Sequence, residues 1–314
     1  MRSDAILSSW ISPMSDHRPC ADRLEFADIS AEAKPMQLEA VAALADAFAE
    51  DGVVCVRNAL DPESLALAQA AYDWSLAHPS VAANRYAGGE GTFYQDLANP
   101  KALPAYRTLI ERSCAADVVA ALWRDPRVWF MYEQIFLKEG GESRRTPWHQ
   151  DSSYLPIDGQ QIAVMWISFD PVAKADSLEF VRASHRGPMY DGSRFDPNDD
   201  TAPIYGDGSL PRLPNIEAER SRWDIVSWGV EPGDVLVFHP GVLHGGAATH
   251  RGGRRRTLSL RFFGADAVYA LRPGMQGRPR PVDDPEASVF ARAAAALSPG
   301  DPLRIPGFPQ LRPA

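Results

Sequence analysis

Residues 146–154 read Thr-Pro-Trp-His-Gln-Asp-Ser-Ser-Tyr and place His149 and Asp151 two positions apart. In an extended strand, side chains at i and i+2 leave the same face, so an imidazole and a carboxylate at this spacing can serve one cation. The donor pair suits a borderline divalent metal such as iron(II). A histidine two before an aspartate also arises by accident in a chain with 7 histidines, so the pair gains meaning only with a third ligand. His17 lies in an irregular N-terminal stretch, His78 ends a helix and His250 sits in a charged turn. His185, in Arg-Ala-Ser-His-Arg-Gly, reads as a loop residue able to orient its neighbours. His239 and His244 flank Pro-Gly-Val-Leu after a strand, and His244 opens His-Gly-Gly, whose glycines permit close backbone approach to a site. His244 is the expected third ligand and His239 a structural histidine.

The elements that must hold these residues change character along the chain. Residues 1–34 are polar and irregular, an expected arm over the surface. Leu38, Val41, Leu44, Ala45 and Phe48 share one helical face ahead of a stop at Gly52. A short buried strand follows at 53–57, and Asp61 and Pro62 form a strong helix start. A third helix is expected over 103–124, with Leu109, Val118, Val119 and Leu122 apolar. From residue 127 the texture is that of strands, rich in aromatic and β-branched residues, at 128–138, 161–170, 177–181, 224–228, 234–239 and 257–263. Helices first and many strands later predict an α+β chain with a mainly β core, a sandwich or barrel.

Between two of those strands, residues 187–222 are rich in Pro, Gly, Asp and Arg and far too long for a hairpin turn. They are expected to form a substrate-gating lid, with Phe195, Ile204, Tyr205 and Leu210 as its apolar contacts. The Pro-rich tail at 299–314 reads as an extended arm, and no internal repeat divides the chain, so one domain over 1–314 is expected.

Composition narrows the function classes. The 314 residues are 45% hydrophobic and 23% charged, with a net charge of −9, which argues against nucleic acid or an anionic membrane as partner. The basic run at 250–256, His-Arg-Gly-Gly-Arg-Arg-Arg, is too short to reverse that reading. No stretch has the length of a membrane span, and the N-terminus lacks the apolar core of a secretion signal. Cys20, Cys55 and Cys114 are isolated, so neither a disulfide framework nor a thiolate zinc site is expected. A cytoplasmic protein acting on a small molecule fits this profile; oligomeric state is not legible.

Four segments carry a family resemblance: Thr-Pro-Trp-His-Gln-Asp at 146–151, Ala-Asp-Ser-Leu-Glu-Phe-Val-Arg-Ala-Ser-His-Arg at 175–186, Pro-Gly-Asp-Val-Leu-Val-Phe-His-Pro-Gly-Val-Leu-His-Gly-Gly at 232–246 and Arg-Arg-Arg-Thr-Leu-Ser-Leu-Arg-Phe-Phe at 254–263. In order and approximate spacing they resemble the phytanoyl-CoA dioxygenase family of iron(II)- and 2-oxoglutarate-dependent oxygenases, over roughly residues 35–270. The resemblance implies a double-stranded β-helix (a jelly-roll, cupin-like fold) with N-terminal helices packed on it. It implies His149, Asp151 and His244 as a two-histidine, one-carboxylate iron site, with three positions left for 2-oxoglutarate and dioxygen, and ascorbate as a possible reductant.

That family anchors the far carboxylate of 2-oxoglutarate with an Arg about eleven residues past the distal histidine. The register selects Arg255, with Thr257 on the same strand face. The local sequence alone leaves Arg254, Arg255 and Arg256 open, because alternation puts Leu258, Leu260 and Phe262 with Arg256. The resemblance also implies co-substrate roles for Gln134 and Trp166, and Lys138 shares the face of Gln134. Where the family often has Ser or Thr two residues after the distal histidine, this chain has Gly246, which leaves Thr257 as a replacement hydroxyl. Asp151 stands where halogenating relatives carry a small residue, so a hydroxylation or related two-electron oxidation is expected.

Phe93, Tyr94, Trp148 and Tyr154 are the candidate substrate walls and Arg182 a candidate anion contact. The expected reaction hydroxylates an unactivated C–H bond with release of succinate and CO2. Desaturation, cyclisation or epimerisation are alternatives within the same chemistry. A non-catalytic ligand-binding jelly roll and a zinc hydrolase at the same triad are the rivals outside it.

Overall fold

The computed structural model describes residues 38–86, 91–140, 145–196, 198–246, 253–273 and 289–313. The chain separates into two units, Met1–Ala33 and Lys34–Ala314, and every described residue belongs to the second. The arm expected at 1–34, with His17 and Cys20, therefore lies outside the described residues, as does His250.

The helix expected before Gly52 forms as two short pieces, α1 (Leu38–Ala42) and α2 (Ala45–Asp51), joined by a tight turn. Gly52 ends α2 in the left-handed conformation, φ 76°, its N–H donating to Phe48 O at 2.9 Å. A side chain at Gly52 would also collide with the His185 ring, since a Cβ there would come within 2.3 Å of Nδ1. Strand β1 (Val53–Val56) follows, then α3 (Pro62–Ala77), whose Asp61 cap accepts from Ser64 N at 2.7 Å. Strands β2 (Asn84–Tyr86) and β3 (Thr92–Leu97) precede α4 (Leu103–Arg112) and α5 (Ala115–Trp123). The single helix expected over 103–124 is broken because Ser113 turns extended, ψ 163°.

The remaining strands are β4 (Val128–Glu139), β5 (Thr146–His149), β6 (Ile157–Asp158), β7 (Ile162–Ser168), β8 (Leu178–Val181), β9 (Ile225–Ser227), β10 (Val235–Phe238), β11 (His244–Gly246), β12 (Arg254–Phe263) and β13 (Val268–Tyr269). After them come α6 (Val289–Ala296) and β14 (Gln310–Arg312).

Two antiparallel sheets make the jelly roll. The larger runs β1-β10-β7-β12-β4-β3-β2, with β14 paired to β4, and the smaller runs β5-β11-β8-β9. The large sheet is buried on both faces, which explains why every residue of β7 is buried. On its outer face Val54, Ala163, Met165, Val237, Leu258 and Leu260 pack under the helical layer of Val41, Phe48, Tyr72, Leu109 and Val119. On its inner face Val164, Trp166, Leu236 and Phe238 meet Phe180 from the small sheet. The strict alternation decides what each residue of β12 faces: Leu258, Leu260 and Phe262 go to the helices, so Arg255, Thr257, Ser259 and Arg261 go inward.

The Pro-rich tail extends as expected and adds an edge. Gln310 pairs with Trp129 of β4, and Leu311 and Phe308 are buried in the core.

Candidate metal centre

β5 and β11 are antiparallel neighbours whose register sets His149 directly opposite His244, with ring centroids 4.2 Å apart. Each ring is oriented in the same way. His149 Nδ1 lies 2.8 Å from Pro147 O and His244 Nδ1 lies 2.9 Å from Val242 O, so each donates to a carbonyl two residues back. That tautomer leaves both Nε2 lone pairs aimed at common space. The i, i+2 spacing predicts both residues on one strand or at its end, but Asp151 does not continue the strand; β5 ends at His149 and Asp151 opens a 3-10 turn, Asp151–Ser153. The turn still delivers the carboxylate. Oδ1 lies 3.5 Å from His149 Nε2 and 3.9 Å from His244 Nε2. One donor atom from each of the three residues lies within 4.8 Å of the others, all three residues are buried, and no other such cluster occurs among the described residues.

Gln150 locks this geometry. Its Nε2 donates to Gly241 O at 2.8 Å and its Oε1 accepts from Tyr190 N at 2.8 Å, tying the metal turn to the β10–β11 connection and to the 187–222 segment. Burial, then the neighbouring His149, pushes His244 down to about 4, so it is neutral and ready to coordinate. Burial opposes ionisation of Asp151, but Arg261 and the two histidines outweigh it and hold the carboxyl well below the usual range. The donor set is two imidazoles and one carboxylate, the set that fits iron(II).

The three residues open into a cavity of about 430 Å³ between the sheets. Arg255 lines it, is 8% exposed and donates from Nη1 to Asp176 O at 2.5 Å. Burial pulls its guanidinium down to about 10, still charged at neutrality. Gln134, Lys138, Trp166 and Thr257 line the same cavity. Lys138 Nζ sits 4.3 Å from the Phe93 ring centroid, and burial, then Arg255, pushes it down to about 7. Arg254 and Arg256 point elsewhere: both pair with Asp170, at 3.5 and 2.9 Å. The three adjacent arginines are thus divided between the cavity, which Arg255 lines, and Asp170, which Arg254 and Arg256 share.

Of the expected substrate walls, Phe93 and Tyr154 line the cavity, and Tyr154 Oη hydrogen-bonds Asp151 Oδ1. Three others do not. Tyr94 is turned to the outer core beside Tyr106, because its neighbour Phe93 takes the inner face. Trp148 alternates with His149 and packs outward against Leu213, Ile216 and Leu243, its Nε1 donating to Glu217 at 3.0 Å. Arg182 is 44% exposed in its side chain and pairs at the surface with Asp51 and Asp224. His239 is structural, as expected: Nδ1 accepts from Gly241 N and Nε2 reaches Gly159 O at 3.1 Å.

One cavity residue escaped the sequence reading and another was read only in part. Arg261 is 4% exposed, lines the cavity, and donates from Nη2 to Asp151 Oδ2 at 3.1 Å and to Gln134 Oε1 at 2.5 Å. Its signal was present, because alternation from Arg255 through Thr257 and Ser259 reaches it. Phe195, expected only as an apolar lid contact, stands edge-on to His149 at 5.3 Å. It is held there in a left-handed conformation, φ 58°, its N–H donating to Ser193 Oγ at 3.0 Å.

The phytanoyl-CoA dioxygenase family model matches residues 48–257. A Caenorhabditis elegans protein named probable phytanoyl-CoA dioxygenase is 24% identical over 222 residues, 68% of this chain and 65% of that protein; the match thus spans under two thirds of the relative. Among solved structures, the epimerase SnoN in complex with Fe3+, alpha ketoglutarate and nogalamycin RO superposes with a TM-score of 0.64 at 22% identity, covering 88% of this chain and 100% of that one. The alpha ketoglutarate dependent carbocyclase SnoK from nogalamycin biosynthesis gives 0.61 at 20% identity, covering 89% and 98%.

Proposed function

The chain belongs to the phytanoyl-CoA dioxygenase family, and on that premise we propose that it is an iron(II)- and 2-oxoglutarate-dependent oxygenase that hydroxylates a C–H bond of a small molecule. The observation that carries the reading is the convergence of His149, Asp151 and His244 on one buried point that shares a cavity with Arg255. Iron(II), 2-oxoglutarate and dioxygen together supply the oxidising power, with succinate and CO2 released. The chain's part is to hold and to exclude. His149, Asp151 and His244 would hold the metal. Arg255 is placed to take the far carboxylate of 2-oxoglutarate, since its planar fork binds carboxylate bidentately. Lys138, Gln134 and Thr257 complete that end, and Trp166 supplies an apolar wall.

The co-substrate roles are tested together. Purified protein should take up about one iron(II) per chain, bind the unreactive analogue N-oxalylglycine only with metal present, and form succinate from 2-oxoglutarate in air. A zinc hydrolase at the same triad would show no N-oxalylglycine binding, and a non-catalytic binder no succinate. Epimerisation or ring closure is a second reading, favoured by the fold shared with an epimerase and a carbocyclase. A product with one added oxygen separates hydroxylation from both.

Lys138 gives a pH signature. Its folded-state pKa of about 7 lies below that of an ordinary lysine, so the free site loses this charge as pH rises through neutrality. A bound carboxylate favours the ammonium, so binding takes up a proton above that pH. The affinity for N-oxalylglycine should therefore fall from slightly acidic to alkaline buffer, and Lys138→Met should flatten the profile. An unchanged profile in that variant would remove Lys138 from the site.

Residues 187–222 serve in this reading as the cover of the site. The segment is folded onto the body: Asp191 accepts from Tyr205 N and Gly206 N at 3.0 and 2.9 Å, and Tyr205 Oη donates to Ser153 O at 2.7 Å. Of Phe195, Ile204, Tyr205 and Leu210, only Phe195 lines the cavity. Phe195→Ala should leave iron content unchanged but raise succinate formation without substrate, because an uncovered site admits dioxygen and exogenous reductant before substrate is in place. Equal basal succinate in variant and parent would deny the segment this role.

A further inference from the structure

The large sheet has a gap along one edge of β4. β3 and β14 share that edge, yet β3 pairs only as far as Leu97 opposite Gln134, and β14 starts with Gln310 opposite Trp129. β3 stops where Ala98 turns left-handed, φ 48°, its N–H donating to Glu133 O at 2.9 Å. Between the two strand ends lies a second cavity of about 400 Å³, which shares only Tyr132 with the cavity beside the triad. Leu103 and Pro104 of α4, Phe130 and Met131 of β4, Val289 of α6 and Pro306 give it apolar walls. Arg292 stands exposed at its rim, where solvent screens the charge.

One acidic side chain lines this apolar space. Glu133 is 5% exposed, and its Oε1 accepts from Asn99 N at 2.8 Å. Its Oε2 has no hydrogen-bond partner among the described residues and keeps accessible surface. The polar groups nearby are engaged elsewhere. Asp96 accepts from Ser80 Oγ and N at 2.5 and 2.8 Å, the Ser75 and Tyr106 hydroxyls lie 2.9 Å apart, and Asn99 Nδ2 donates to His78 O at 2.8 Å. Burial pushes the Glu133 carboxyl up to about 7, a rise to which Asp96 adds. A buried carboxylate in this position is stabilised by a partner that brings both positive charge and hydrogen-bond donors.

We infer that this cavity is a second ligand site, built for a small apolar organic cation, a primary amine. The ammonium donates to Glu133 Oε2, and the hydrocarbon body lies against Leu103, Phe130, Val289 and Pro306. Glu133 disfavours an acid here, and a metal ion would find no second carboxylate or imidazole in the lining among the described residues. The site stands apart from the oxygenase reading, because neither Glu133 nor those four walls line the cavity beside the triad.

Calorimetry on the full-length protein tests the inference, in mildly alkaline buffer where Glu133 is ionised and the amines are still protonated. The probes are two matched pairs, benzylamine with benzyl alcohol and cyclohexylmethylamine with cyclohexylmethanol. In at least one pair the amine should bind about tenfold or more tightly than its alcohol, the effect of a hydrogen bond between charged partners. Glu133→Gln keeps an acceptor for Asn99 N but removes the charge, and should erase that preference. Leu103→Trp fills the cavity without touching the carboxylate, and should abolish binding of the amine. Melting temperature identifies a variant that fails to fold, in which case the other decides. Equal binding of amine and alcohol in both pairs by the parent protein would overturn the inference, whatever the variants do. So would a preference that persists in Glu133→Gln, or amine binding that survives Leu103→Trp. Competition between the amine and iron(II) in the parent would place the amine at the triad instead, and the inference would again fail.

Discussion

His244→Ala, and separately His149→Ala, should yield folded protein that no longer retains iron(II) and forms no succinate. In the proposed site each imidazole would supply one of three protein ligands, and its Nδ1 is held by a backbone carbonyl. Loss of an outer partner of a metal ligand already weakens binding by about 10- to 100-fold, so loss of a ligand itself should exceed that range. Either substitution removes one ring and leaves behind an unbonded carbonyl, a modest structural loss. Asp151→Ala is a poorer test, because it would leave Arg261 buried and unpaired, a defect of about 3–5 kcal/mol in its own right. Metal content by elemental analysis, with circular dichroism to confirm folding, decides the matter. Full iron occupancy in both histidine variants would dismiss the triad.

The candidate triad was legible in the sequence because its residue identities and spacing are local, while the way the three residues meet is not. His149 and Asp151 were read as two positions of one strand, but the chain leaves the strand between them, and the carboxylate arrives from a 3-10 turn. The turn depends on contacts far away in sequence, such as Ser152 N donating to Pro240 O at 3.1 Å and Gln150 reaching Gly241. Alternation explains most of what was misplaced. Tyr94 and Trp148 adjoin residues that face the cavity and must therefore face away from it. Nothing local said which of two adjacent aromatic residues goes inward. The same rule applied from Arg255 would have found Arg261, which is the more informative omission because it contacts Asp151. Phe195 could not be placed from sequence, since its position depends on a left-handed backbone at a residue that is not glycine.

Arg254, Arg255 and Arg256 were indistinguishable locally for a physical reason. On a strand covered on only one side, the apolar set Leu258, Leu260 and Phe262 would mark the face toward the site, and Arg256 shares it. Here the helices cover the other side of the sheet, so the apolar set faces them and the polar set faces the cavity. Two substitutions separate the roles. Arg255→Ala should raise the concentration of 2-oxoglutarate needed for half-maximal succinate formation by roughly two to three orders of magnitude, the loss of a buried charge-assisted carboxylate partner. Iron binding should be unaffected, because Arg255 contacts none of the three ligands. Arg256→Ala should do the reverse. It removes a partly exposed pair with Asp170, Nη2 to Oδ1 at 2.9 Å, and should lower stability by about 1 kcal/mol with no change in co-substrate requirement. Steady-state kinetics against 2-oxoglutarate, beside urea unfolding of both variants, reads the two effects independently. If Arg256→Ala carried the kinetic defect and Arg255→Ala the stability loss, β12 would be out of register by one residue, and Arg261 would leave the cavity together with Arg255.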